Sequence, residues 1–255
     1  MSRQDPEEIK ILRKAGNVAT VEGIRGVTEI MKRLVNDPWV QMECTRLIWN
    51  FIFHYPKFKK VFFELGGIPC LFESINLHYK SKLYGRHICR NGLFIVHHLA
   101  TTITTKSKKL KQTIVHQIHQ EIKTPKAMEM IIKSMNFYEK DPKLQEAGCA
   151  ALGWWCYKAT NKERAKCILA GGLATVERAH ANFDLQHVHR YSMWTAEMLR
   201  AADREYRAEL VAAEEAKRRR AMIDKMVKMQ IEAAKDKKSK FKHKDEGAIV
   251  DYYAK

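Results

Sequence analysis

One long motif occurs twice in this chain, and the duplication constrains the fold more than any other feature. "DPWVQMECTRLIWNFIF" from Asp37 leads through the basic stretch "PKFKKVF" to "FFELGGIPCLFESI" around Gly66 and Gly67. "DPKLQEAGCAALGWWC" from Asp141 leads through "NKERAKC" to "CILAGGLATVERAH" around Gly171 and Gly172. Both copies run Asp-Pro, glutamine, long apolar helix, short basic helix, Gly-Gly, apolar helix. The offset is 104 residues at the Asp-Pro and 105 at the glycines. Asp-Pro reads as a helix start, because Asp accepts from orphan N–H groups and Pro takes a position whose N–H is unpaired anyway. The glycine pairs are not phosphate loops. That chemistry needs G-x-x-x-x-G-K-[S/T], or G-x-G-x-x-G after a strand, and the sequence holds neither. They read as tight turns between helices.

An offset of that size holds more than one unit of a helical repeat of roughly 40–47 residues. A degraded middle copy supplies "GRHICRNGLFIVHHLATT", "KKLKQTIVHQIHQEI" and "PKAMEMIIKSM"; partial copies are "RGVTEIMKRLVND" at the start and "DLQHVHRYSMWTAEMLRAA" at the end. The blocks resemble the armadillo repeat through Asp37-Pro38, Gln41, Gly66-Gly67-Ile68-Pro69, Asp141-Pro142, Gln145, "QEAGCAAL" and Gly171-Gly172-Leu173. The resemblance covers roughly residues 20–200, and the middle unit departs from it in lacking Gly-Gly and Gln. It implies an all-α fold, an armadillo-type right-handed α-solenoid of about four units. The expected domains are residues 1–202 for the repeats, 203–236 for an extended charged helix, and 237–255 for a basic tail, disordered when free or ordered by a partner. Asp5-Pro6-Glu7-Glu8 reads as a further helix start.

No catalytic signature is present: no H-E-x-x-H, no G-x-S-x-G and no Walker sequence. His119-x-Glu121 imitates a zinc deaminase start but lacks the following P-C-x-x-C. Histidines cluster at His97-His98, His116 with His119, and His187 with His189, without a completing ligand set. Six cysteines without paired short spacings read as buried reduced thiols. The expectation is a non-enzymatic protein with no catalytic residue, metal, cofactor or small-molecule substrate.

The resemblance also implies a binding face. In armadillo proteins the third helix of each unit lines a concave groove, where an asparagine clamps an extended peptide. Counted from Gln41 and Gln145, that position falls on Asn50 and Trp154, and in the middle unit it falls on His98; one turn earlier stand Arg46, Phe94 and Ala150. With one asparagine left and its tryptophan partner missing, an importin-like receptor for basic peptides is not expected. A groove lined by Arg46, Asn50, Phe94, His98 and Trp154 suits a mixed acidic and apolar segment. Phe94 and Trp154 read equally well as core residues at helical spacing.

The charge points to acidic partners. Lys and Arg number 46 against 29 Asp and Glu, a net +17. Residues 217–244 hold 12 of those cations against three acids. The candidate arm residues are Lys217, Arg218, Arg219, Arg220, Lys225, Lys228, Lys237, Lys238, Lys240 and Lys242, on a segment with strong helix formers and a stripe of Met222, Met226, Met229 and Ala233. A second basic feature, the "TTITTKSKKLK" link, offers Lys106, Lys108, Lys109 and Lys111. No apolar run approaches the roughly 18 residues of a membrane span, and the start lacks a signal core. The reading is a cytoplasmic, non-secreted scaffold in a large protein complex with an acidic surface. Microtubule-based, cytoskeletal or ciliary assemblies are the leading case, with tubulin as the partner. The alternatives are an RNA-associated or ribonucleoprotein subunit, organellar ones included, and a soluble adaptor binding an acidic peptide in the groove. Against nucleic acid, no RRM, KH or zinc-knuckle motif occurs.

Overall fold

The computed structural model describes the backbone of residues 20–101 and 108–253, and the side chains of 20–101, 113–209 and 211–230. Eleven helices make up these residues, and no strand occurs among them, so the described chain is all-α. They are α1 (Val21–Arg33), α2 (Pro38–His54), α3 (Phe58–Glu64), α4 (Gly67–His78), α5 (Gly85–Ala100), α6 (Lys108–Ile122), α7 (Pro125–Phe137), α8 (Pro142–Lys158), α9 (Asn161–Leu169), α10 (Gly172–Asn182) and α11 (Gln186–Tyr253). The chain divides into two units between Arg204 and Glu205.

In the first unit, α2, α5 and α8 pack in succession, and α1, α4, α7 and α10 do the same. Between these two rows lies one apolar core, including Ile48, Ile52, Leu71, Leu93, Val96 and Leu152, all fully buried. The first turns of α11 join through Thr195, whose hydroxyl donates to Cys149 O at 3.0 Å. All six cysteines are buried and none forms a disulfide. Burial pushes the Cys89 and Cys149 thiols up to about 12, so they behave as small hydrophobes.

The repeated motif has the same geometry in both copies. Asp37 Oδ1 accepts from Trp39 N and Val40 N at 3.0 and 3.2 Å; Asp141 Oδ1 accepts from Lys143 N and Leu144 N at 3.0 and 3.1 Å. One turn on, Gln41 Nε2 donates to Met31 O and Leu34 O at 2.8 and 2.9 Å. Gln145 Nε2 donates likewise to Met135 O and Tyr138 O at 2.8 and 3.1 Å. The last carbonyls of a helix have no helical N–H left to accept from. A glutamine one turn inside the next helix reaches back over the turn and satisfies them, clipping α1 to α2 and α7 to α8. The middle unit lacks that glutamine, and the end of α4 is held differently. Tyr138 Oη donates to Tyr79 O at 2.6 Å, and His78 Nε2 lies 2.6 Å from Val35 O. The glycine pairs do make turns. Gly66 (φ 67°) and Gly171 (φ 86°) adopt the left-handed conformation that opens α4 and α10.

The second unit continues the helix from Glu205. The sequence reading ends that helix at Asp236 and leaves 237–255 as a tail; the helix instead runs to Tyr253. Lys and Ala favour helix, and the stretch has no proline and only one glycine, Gly247, to interrupt it. The described side chains from Val211 to Gln230 are all exposed. Those of Lys237, Lys238, Lys240 and Lys242 lie outside the described set. The link is also shorter than read. Lys108, Lys109 and Lys111 belong to the first turn of α6, where lysine and leucine propagate helix. Lys106 and the Asp5–Glu8 start lie outside the described residues.

Candidate functional site

Four helices bring aromatic side chains together at three- and four-residue spacing. Trp49 and Phe53 come from α2, Phe94, His97 and His98 from α5, Trp154 from α8, and Tyr191 and Trp194 from the first turns of α11. They line two hollows of ≈ 520 Å³ and ≈ 450 Å³ that share His97 and Tyr191. The rings form a chain across the four helices. Trp49 stacks on Phe94 with centroids 5.4 Å apart, and Phe53 meets His98 edge-on at 5.1 Å. His97 meets Tyr191 at 5.3 Å, and Trp154 meets Trp194 at 5.6 Å. Such edge and offset contacts stabilise aromatic clusters beyond the area they bury.

Cations lie among these rings. Arg90 and Lys143 line the first hollow, beside His187 and Glu146, and Arg190 the second. Lys143 pairs with Glu146 at 3.0 Å, and the Arg190 guanidinium lies 6.0 Å from the Tyr191 ring centre. His97 and His98 are held down to about 4, chiefly because burial penalises the charged ring; for His97 the His98 and Lys59 charges add to this, and for His98 the Lys59 charge. Both are therefore neutral at pH 7. Lys59 is buried and donates to Thr101 Oγ1 at 2.7 Å, and burial lowers it to about 8. The result is a neutral aromatic floor with mostly cationic polar edges. That combination accepts apolar or aromatic side chains flanked by carboxylates.

Three of the five groove residues read from the sequence line these hollows: Phe94 and His98 the first, Trp154 the second. All three also pack against the core or another ring, so Phe94 and Trp154 contribute to the core as well as to the walls of a hollow. Arg46 and Asn50 line neither. The Arg46 guanidinium is exposed and held by Glu43 on its own helix, 2.6 Å away. On α2 the lining falls to Trp49 and Phe53, one residue before and three after Asn50, because those rings reach Phe94 and His98 on the neighbouring helix. Tyr191, Trp194, Arg90 and His97 were also missed. For Tyr191 and Trp194 the signal was the same helical spacing, visible in "HVHRYSMW".

His97 and His98 stay in ring contact at 4.9 Å, whereas His187 and His189 separate. His187 lines the first hollow, His189 packs on His180 with ring centres 4.3 Å apart, and His119 Nε2 lies 3.0 Å from Ala100 O. Among the described residues no group of three or more His, Cys, Asp or Glu is placed to hold a metal ion, and no helix is long and apolar enough to cross a membrane. Comparison with protein-family models, curated proteins and solved structures gives no match to the chain.

Proposed function

We propose that the chain is a non-enzymatic, armadillo-type scaffold, a right-handed solenoid of about four units, whose groove holds an acidic, partly apolar segment of a protein partner. The observation that carries this is the aromatic floor shared by α2, α5, α8 and the start of α11, with Arg90, Lys143 and Arg190 among its lining residues. The repeated Asp–Gln clip and the two rows of successive helices support the solenoid. Like charge opposes a basic cargo, and carboxylates meet the lining cations. Fluorescence polarisation with a labelled extended peptide of alternating glutamates and leucines tests this, against the same peptide with lysines. Binding should prefer the acidic peptide, and Trp154→Ala should weaken it about 10- to 100-fold while helicity is retained. Equal binding of the two peptides, or an indifferent Trp154→Ala, would sink the groove reading.

The arm favours a second reading, because the cations from Lys217 to Lys228 are all exposed. They suit an acidic polymer such as a tubulin lattice in a cytoskeletal or ciliary assembly, with RNA the alternative. Co-sedimentation of the full chain and of an Arg218→Ser, Arg219→Ser, Arg220→Ser variant across a salt series separates these. Lattice binding should survive at physiological salt and fall in the variant. RNA binding should show a steep salt slope, and preference for RNA would displace the tubulin reading.

A further inference from the structure

The arm carries more than charge. Met222, Met226 and Met229 recur at four- and three-residue spacing on α11 and are 65%, 51% and 61% exposed; Ile223 and Val227 beside them are exposed too. By the same period Lys217 and Lys228 fall on the other side of the helix, while Arg218, Arg219 and Lys225 flank the stripe. Residues 216–230 contain six cations and one acid, Asp224. A helix that only neutralises a polymer has no need of an apolar stripe, so the stripe calls for a partner that covers it.

The composition selects among such partners. A helix lying in a lipid surface presents Trp, Phe and Leu on its apolar face. Here no aromatic occurs between Tyr206 and Phe241, and the only leucine in that interval is Leu210. Methionine is unbranched and polarisable, and suits an adaptable protein groove. Cations ahead of and around the stripe, Lys217 to Arg220 and then Lys225 and Lys228, need an acidic rim. A basic amphipathic helix of this kind is a ligand for helix-in-groove recognition. We infer that residues 216–230 are the target helix of an acidic, helix-clamping protein with a methionine-lined apolar groove, of the calcium-loaded calmodulin type. The inference goes beyond both readings above, since neither uses the apolar stripe.

Calcium-loaded calmodulin is the probe, titrated calorimetrically into the full-length chain. One-site binding that chelation of calcium abolishes is expected. Met222→Ser with Met226→Ser should weaken it about 30- to 100-fold without changing net charge. Met222→Leu with Met226→Leu should keep it, which separates a lost anchor from a lost helix. Trp154→Ala should leave it unchanged, so failure of the groove reading would not be mistaken for failure here. An unaffected serine variant overturns the inference, because charge alone would then suffice. So does a chain that ignores calmodulin, whether or not it binds phosphatidylserine vesicles or RNA.

Discussion

Replacing Gln145 with methionine is expected to lower the stability of the first unit by about 2–3 kcal/mol. The side chain is 2% exposed, and its amide supplies both hydrogen bonds that close the end of α7. Methionine conserves the volume, so the loss isolates the polar term. Two donated bonds disappear, and Met135 O is left buried beyond the last helical N–H. Tyr138 O still accepts from Asp141 N at 3.0 Å, so only one carbonyl is orphaned. For a domain of this size the thermal midpoint should fall by about 5–10 °C. Gln41→Met should cost about 1 kcal/mol less, because Gln41 Oε1 is already buried without a partner and its removal offsets part of the loss. Thermal unfolding followed by circular dichroism checks both; equal midpoints for wild type and Gln145→Met would show that the clip does not stabilise the fold.

Acid should destabilise the chain through His97 and His98. Both rings have folded values near 4, below the ordinary 6.5 of histidine. Between those values the unfolded chain binds more protons than the folded one, so stability rises with pH. Their contribution is complete above about pH 6.5 and is lost as pH falls toward 4. On the order of 2 kcal/mol per ring is at stake by pH 4.5, and less if one charged ring repels the second. His97→Phe with His98→Phe keeps the ring contacts and removes the titration. Midpoints measured from pH 7 to pH 4.5 should fall less steeply in the double variant. An unchanged slope would place the acid sensitivity elsewhere.

The helix order was legible because the local chemistry is loud. Asp-Pro starts, Gly-Gly turns and period-3.6 apolar runs each act within a few residues, and α6 begins and ends where "KKLKQTIVHQIHQEI" does. Even the role of Gln145 was half visible, since its place one turn after Asp141 puts it on the capped side of the helix. The groove was read less well, because a lining residue is defined by the neighbouring helix as much as by its own. Counting from Gln41 selects Asn50, whereas the stacking partner Phe94 selects Trp49. At the end of the arm the sequence loses amphipathic periodicity without losing helix, so the pattern does not mark where α11 stops. The backbone stays helical to Tyr253.

The two kinds of helix closure imply an order of assembly. The glutamine clips join residues only seven and ten apart in sequence, at both ends of the repeats. The middle unit's Tyr138–Tyr79 bond spans 59 residues. Loop-closure entropy grows with the logarithm of length, so the longer span costs about 1.5 kcal/mol more to close. The α1–α2 and α7–α8 pairs can therefore form early and independently. The stretch between them gains its tyrosine lock only after α7 has arrived, so that lock closes after the two clips.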